Sequence, residues 1–141
     1  MENNDIGGVQ DKELAELYSD SQQWKSQLRL MADELLFIKR LLNSYVFEPN
    51  TPNLFERLQG YQDRLKQIHN QRIVVRGHIT RHENDLGGIL ECTDRACSLE
   101  YYKKHEHLSN EAADCLLDFQ NLKSEIFNYA GGILKGRKPR K

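Results

Sequence analysis

The chain has 141 residues, of which 38% are hydrophobic and 29% are charged, and its formal net charge at pH 7 is −1. A chain of this size and composition is typical of one soluble helical domain with a single core. The composition excludes a membrane-spanning protein, because no apolar run approaches the roughly 18 residues that a span requires. It also excludes a disulfide-rich secreted scaffold, because three cysteines are too few.

The segment before the first helical pattern is polar and lacks the basic and apolar regions of a secretory signal. We therefore expect residues 1–10 to be a disordered N-terminus and the protein to be cytoplasmic. In that compartment the three thiols, Cys92, Cys97 and Cys115, are expected to stay reduced.

Three long stretches carry apolar residues at alternating spacings of three and four, the heptad pattern of helices that pack as in a coiled coil. The three series run from Leu14 to Tyr45, from Leu54 to Ile89 and from Tyr101 to Ile133. They predict helices over about 11–47, 53–90 and 96–134.

Prolines and glycines predict where these helices begin and end. Pro49 and Pro52 cannot continue a helix, and Thr51 followed by Pro52 is a typical helix start. The sequence Gly-Gly-Ile-Leu occurs at 87–90 and again at 131–134, late in an apolar series each time, and a glycine stop followed by an apolar contact back onto the helix explains both. The second helix either ends at Gly87 and Gly88 or continues towards Glu91, and we expect an end near Leu90.

Three helices of nearly equal length with short loops predict an all-α fold, an antiparallel up-down-up three-helix bundle. Further apolar positions widen each stripe so that each helix contacts two others: Leu36, Leu41, Leu116, Phe127 and Leu134. In this topology, residues of the second and third helices whose numbers sum to about 187 lie opposite each other. His82 then meets His105.

The register of the first two helices gives a further prediction. Opposite residues of these helices have numbers that sum to about 100, which places Trp24 opposite Gly77. The missing side chain of Gly77 would then accommodate the indole.

Four polar residues occupy positions on the apolar series and predict a structural polar layer: Ser21, Arg72, His82 and His105. Such a layer is satisfied only when its members align, so it sets the register of a bundle. For Arg72 we expect either a carboxylate partner across the interface, Asp114 or Asp118, or a guanidinium that reaches the edge of the helix.

Two further groups of side chains are candidates for chemistry. His78 and His82 are one helical turn apart, and together with His105 they are a candidate metal site. Cys92 and Cys97 flank the second turn, either as small apolar residues or as a redox pair. A zinc site that combines these cysteines with His105 and His107 lacks the usual ligand spacing.

The C-terminal segment 135–141 contains five basic residues, which leave a net charge of −6 on residues 1–134. The basic residues are Lys135, Arg137, Lys138, Arg140 and Lys141. They predict either a flexible solubilising tail or an anion-binding segment for nucleic acid or an anionic surface. The tail has no aromatic residue on which a base could stack.

No carboxylate pair, phosphate-binding loop or nucleophilic triad occurs at a catalytic spacing, so the sequence predicts a protein that is not an enzyme and needs no cofactor. Outside the heptad positions the chain has more apolar surface than a narrow three-helix bundle can bury. The residues that carry it are Phe37, Val46, Phe47, Phe55, Ile73, Val74, Tyr102 and Phe127. They indicate an interaction protein whose partner is a second copy or another helical protein. The metal or redox protein and the nucleic-acid binder remain the alternatives.

Overall fold

The computed structural model describes residues 11–44, 53–89, 91 and 95–136. It contains three helices, α1 (Asp11–Leu42), α2 (Leu54–Ile89) and α3 (Arg95–Gly136), and the described residues include no strand. The predicted all-α, three-helix fold is therefore confirmed. The predicted disordered segment 1–10 and residues 137–141 of the basic tail lie outside the described residues.

Contacts between the helices show the chain direction. The pairs are Lys25 with Glu83 and Leu28 with Arg72 between α1 and α2, and Arg64 with Glu125 and His78 with Glu111 between α2 and α3. In each set the residue number rises on one helix as it falls on the other, so α2 is antiparallel to both neighbours. The sums for α2 and α3 are close to the predicted value, and the topology is up-down-up.

The heptad series form the core. The main cluster runs through all three helices and includes Trp24, Leu28, Ile38, Ile79, Phe119 and Ile126. A smaller cluster of Leu17, Ile89 and Tyr101 lies towards the end where α2 finishes and α3 begins. Burying these series stabilises the bundle, since a fully buried Leu or Ile side chain contributes roughly 1.5–3 kcal/mol.

α1 ends at Leu42, earlier than the sequence predicts. Beyond it, the backbone N–H groups of Asn43 and Ser44 donate to the carbonyl oxygens three residues back, at 3.1 and 3.0 Å. The Ser44 hydroxyl donates to the Leu41 carbonyl at 2.7 Å. These tight bonds satisfy carbonyls that the helix end leaves without a partner, and they stop the helix. Residues 45–47 and the predicted start at Thr51 and Pro52 lie outside the described residues.

The glycine pairs do not stop their helices, so of the two alternatives for α2 the stop at Gly87 and Gly88 is wrong, whereas the end at Ile89 agrees with the favoured end near 90. α2 continues through Gly87 and Gly88 to Ile89, and α3 continues through Gly131 and Gly132 to Gly136. Ile89 is buried just after the first pair, and its packing holds the last turn. Tertiary packing thus overrides the glycine cost of about 1 kcal/mol per residue.

The prediction that Gly77 accommodates the Trp24 indole is wrong. Gly77 is exposed, and a Cβ atom at this position would meet no atom within 4 Å. Gly77 lies two residues from the buried Val75 and Ile79, and two residues turn a helix by about 200°. It therefore faces away from the core.

In the part of the chain that the structure describes, no helix has both the length and the apolarity that crossing a membrane requires.

Candidate functional site

A polar layer crosses the bundle between its two apolar clusters. Ser21 of α1, His82 of α2 and His105 of α3 are all buried, with the main cluster on one side and the Leu17, Ile89 and Tyr101 cluster on the other. The structure brings His82 and His105 together, as the register predicted. Ser21 is buried beside them, and its hydroxyl donates to the Leu17 carbonyl of its own helix at 3.3 Å.

The two histidines belong to a chain of hydrogen bonds that the sequence did not fully reveal. His82 Nε2 lies 2.8 Å from His105 Nδ1, and His105 Nε2 lies 3.0 Å from Asp20 Oδ2. The Tyr101 hydroxyl donates to the His82 carbonyl oxygen at 2.9 Å. Asp20 and Tyr101 were not predicted as members of the layer, although Asp20 directly precedes Ser21 and Tyr101 lies one turn before His105.

The chain of bonds determines which ring nitrogens carry hydrogen. The Asp20 carboxylate can only accept, so His105 Nε2 carries the hydrogen and donates it. In neutral His105, Nδ1 is then the acceptor, and His82 Nε2–H is its donor. The one remaining acceptor is His82 Nδ1.

Two aromatic rings pack against the histidines of this chain. The Tyr101 ring stacks on the His82 ring, with centroids 4.1 Å apart and an interplanar angle of 10°. The Trp24 ring lies 4.8 Å from the His105 ring. Burial, together with the neighbouring His105, lowers the pKa of His82 to about 4, and burial also raises the pKa of Tyr101. At neutral pH the layer therefore holds an uncharged His82 and an intact Tyr101 hydroxyl.

Arg72 is buried, and its described hydrogen bond is to the backbone and not to the expected carboxylate, Asp114 or Asp118. Its Nε donates to the Leu28 carbonyl oxygen of α1 at 2.7 Å. A helix carbonyl has a second lone pair that accepts such a bond. The alternative, a guanidinium that reaches the edge of the helix, stays a prediction. Burial, followed by the charge of Arg76, lowers the pKa of Arg72. Arg72 ties α2 to α1.

A groove of about 390 Å³ runs between α2 and α3 beside the layer. It is lined by His78, Arg81, His82, Asp85, Lys103, Lys104, His107, Leu108 and Glu111.

The candidate metal ligands His78, His82 and His105 are not directed at a common point. His78 Nδ1 bonds to Glu111 at 3.0 Å, while His82 and His105 bond to each other. Among the described residues, no group of three or more His, Cys, Asp or Glu side chains is placed to hold a metal ion.

The cysteines have different environments. Cys97 is disulfide-bonded, which contradicts the expectation that all the thiols are reduced, and Cys92 lies outside the described residues. Cys115 is a free, buried thiol, and burial raises its pKa to about 11. It therefore stays protonated at neutral pH and fills space in the core.

The basic tail begins where α3 ends. Lys135 is in the last turn of α3, which extends two residues beyond the predicted end at 134. Arg137, Lys138, Arg140 and Lys141 lie outside the described residues, so their anion-binding role stays a prediction.

A second unusual feature lies on the outside of the bundle, where α1 and α3 run side by side. The Phe37 and Phe127 rings meet edge to face with centroids 6.4 Å apart, yet the side chains are 59% and 41% exposed. We use the name α1–α3 apolar surface for five of the exposed apolar residues on these two helices: Leu30, Phe37, Leu117, Phe127 and Leu134. Leu41 and Leu116 lie beneath it, partly buried against the core.

The sequence located this surface only in part. Phe37 and Phe127 were predicted to exceed what the bundle buries, and both are exposed, as are Phe55, Ile73 and Val74. Leu134 was predicted to widen a buried stripe but is exposed, and so is Leu36. Tyr102 is partly buried and donates to Glu13 at 3.0 Å, while Val46 and Phe47 lie outside the described residues.

No family model, curated protein or solved structure matches the chain.

Proposed function

We propose that this protein is a non-catalytic interaction module, and that it binds a helical protein or a second copy of itself through the α1–α3 apolar surface. The observation that carries the proposal is the exposed aromatic pair Phe37 and Phe127, with further leucines along the same two helices. Each exposed Å² of apolar surface costs about 25 cal/mol relative to burial, so a partner that covers this area gains free energy.

The composition of the surface supports the proposal. Aromatic residues are enriched in the centres of protein interfaces, and polar residues form their rims. Here two phenylalanines are at the centre, while the charged Asp33 and Arg40 lie on the outer side of α1 and Ser124 and Gly131 lie on the outer side of α3. A partner that covers the two phenylalanines would present an apolar face to them.

The polar layer supports the non-catalytic part of the proposal. Its groups are bonded to one another, from the exposed Asp20 through His105 to the buried His82. Such an arrangement sets register, because its members are satisfied only when the helices align. Metal binding, redox chemistry, nucleic-acid binding and a cytoplasmic location remain predictions of the sequence.

The test is the mass of the untagged protein by light scattering after size exclusion. We expect the wild type to form a dimer or a larger complex and the double variant Phe37→Gln/Phe127→Gln to be monomeric. Phe55→Gln is the matched control, because Phe55 is 82% exposed but lies on α2. The control should keep the wild-type mass.

Two results would contradict the proposal. One is a wild type that is monomeric at high concentration and copurifies with no protein. The other is an equal loss of mass in the double variant and in Phe55→Gln, which would indicate non-specific adhesion of exposed apolar groups.

A further inference from the structure

We propose that the groove between α2 and α3 is a binding site for a small ligand that carries a phosphate group and a hydroxyl group. In this site Arg81, Lys103 and Lys104 contact the phosphate oxygens. His82 Nδ1 accepts a hydrogen bond from the hydroxyl. The site goes beyond the proposed function and does not depend on it, because no residue of the α1–α3 apolar surface lines the groove.

The first observation is a nitrogen atom that the polar layer leaves open. His82 Nε2 is bonded to His105, and the His82 carbonyl oxygen accepts the bond from Tyr101. Among the described residues, none bonds to His82 Nδ1, although this residue is only 5% exposed. Because His82 lines the groove, Nδ1 is the polar atom that its side chain offers to a ligand there.

At neutral pH this nitrogen accepts a hydrogen bond and does not donate one. His105 donates to Asp20, so it accepts from His82, whose hydrogen is therefore on Nε2. Burial, followed by the neighbouring His105, lowers the pKa of His82 to about 4, which keeps the ring neutral. A ligand that bonds to Nδ1 must therefore supply the hydrogen, as a hydroxyl group does.

The second observation is the charge of the groove. Its cations are Arg81 of α2 and Lys103 and Lys104 of α3. Its carboxylates are Asp85 and Glu111. Without the basic tail the chain is acidic, so an excess of cations in one groove is a local feature of this bundle.

These cations are available to a ligand. Arg81, Lys103 and Lys104 are exposed, and within the part of the chain that the structure describes none of them forms an ion pair. Glu111, in contrast, is bonded to His78 at 3.0 Å. Phosphate oxygens are strong acceptors for guanidinium and ammonium groups, so a phosphate group is the anion that this set of donors favours.

The cations and the open nitrogen lie at one level of the bundle. Arg81 directly precedes His82 on α2, and Lys104 directly precedes His105 on α3. The bond between the two histidines therefore places Arg81 and Lys104 at nearly the same height. The charge of Lys104 also contributes to the lowered pKa of His82, after burial and His105. A phosphate held by these cations thus lies beside His82.

The size of the groove and its remaining carboxylate restrict the ligand further. A volume of about 390 Å³ is within the range of small-molecule sites, roughly 300–1,000 Å³. Asp85 would repel a bare anion, but it can accept a hydrogen bond from a hydroxyl group. A phosphate ester with free hydroxyl groups meets these requirements. Inorganic phosphate is the smallest ion that carries both the anionic oxygens and a hydroxyl.

The test compares phosphate with sulfate, by isothermal titration calorimetry of the untagged full chain at pH 7 and low salt. The two ions are similar in size and charge, but only phosphate carries a hydrogen at this pH. We expect one phosphate to bind per chain, about tenfold more tightly than sulfate, because sulfate cannot donate to His82 Nδ1. The nitrogen NMR resonance of His82 Nδ1 should move when phosphate is added and stay in place with sulfate.

Two variants test the cations. Lys103→Gln/Lys104→Gln should raise the dissociation constant for phosphate by about tenfold. The matched control is Lys39→Gln/Arg40→Gln, which removes two adjacent, exposed charges from α1, outside the groove, and should bind like the wild type. All four sites are exposed, and circular dichroism confirms that each variant is folded before it is compared.

Glycerol 3-phosphate distinguishes the two sources of the phosphate group. If it binds more tightly than inorganic phosphate, the ligand is an ester with hydroxyl groups, and if it binds more weakly, the ligand is the free ion. The proposal is overturned if neither binds at millimolar concentration. It is also overturned if sulfate binds as tightly as phosphate, or if the control variant loses as much affinity as Lys103→Gln/Lys104→Gln, because either result indicates non-specific attraction of anions.

Discussion

The polar layer and the α1–α3 apolar surface are opposite departures from the usual distribution of side chains. The layer places polar groups in the core, among them His82 at 5% exposure, whereas the surface leaves Phe37 more than half exposed. Within the layer, every interaction described is between residues of this chain. On the surface, the two phenylalanines contact each other and still leave much of their area uncovered.

The difference indicates which of the two features is the better candidate for binding a partner. A buried polar group is costly unless it is hydrogen-bonded, and the layer meets that requirement internally. The exposed part of an apolar surface, in contrast, gains no free energy from its own chain. The layer is therefore explained by folding, and the surface is the feature for which we propose association.

The largest loss of stability that we expect occurs at acidic pH. The folded-state pKa of His82 is about 4, below the 6.5 of an unperturbed histidine. Between these pH values the unfolded chain binds the extra proton, so the free energy of unfolding falls as the pH drops from 6.5 to 4. The loss is on the order of 3 kcal/mol and is complete below pH 4.

Urea unfolding at pH 7, 5.5 and 4 measures this loss. Carboxylates also titrate in this range, so the comparison is with His82→Leu/His105→Leu, in which the loss between pH 6.5 and 5 should be much smaller. An identical pH profile in both proteins would show that the layer is not held in its neutral form.

The next effect comes from breaking one half of the histidine pair. His105→Leu leaves the His82 Nε2–H group buried without its acceptor, and we expect a loss of about 1–3 kcal/mol at pH 7. The double variant His82→Leu/His105→Leu removes both groups and should be more stable than the single variant. The single variant His82→Leu completes the comparison. If the stability losses of His82→Leu and His105→Leu add up to the loss of the double variant, the bond between the two rings contributes nothing.

A smaller effect is expected on the apolar surface. Phe37→Gln removes one aromatic pair at a largely exposed site and should lower the stability of the dilute, monomeric protein by about 1 kcal/mol. Thermal or urea unfolding at low protein concentration measures it. Replacing a core phenylalanine costs about 3–5 kcal/mol of stability. A loss of that size for Phe37→Gln would mean that Phe37 stabilises the fold and is not part of a free binding surface.

The smallest effect that we expect is a gain in stability. Gly77 faces solvent inside α2, and an alanine there meets no neighbouring atom. We expect Gly77→Ala to raise stability by about 0.5–1 kcal/mol, because glycine loses more backbone entropy in a helix. Gly60→Ala, at the equally open Gly60, is the control and should behave alike. If Gly77→Ala destabilises the protein and Gly60→Ala does not, Gly77 is close to another side chain, and the predicted contact with Trp24 would be supported after all.

The sequence predicted the histidine pair but not its surroundings. The antiparallel register was sufficient to bring His82 to His105, because helix geometry is regular enough to extrapolate over several turns. It did not identify the bond from Asp20 to His105, which depends on how α1 is rotated relative to α3. The partner of Arg72 was missed for a related reason: a long side chain can reach either neighbouring helix, and only packing decides that it bonds to the Leu28 carbonyl.

Heptad spacing alone determined the fold class, the number of helices and nearly all of the core, because a repeating apolar stripe has only one side to bury. The tertiary structure decided where the helices end, since buried residues such as Ile89 carry α2 through its glycines. It also decided which apolar residues stay outside: Leu134 and Phe127 fit the pattern of a wide stripe, yet two neighbouring helices are too few to cover them. A sequence pattern specifies which side of a helix is apolar, but only the number and positions of its neighbours determine how much of that side is covered.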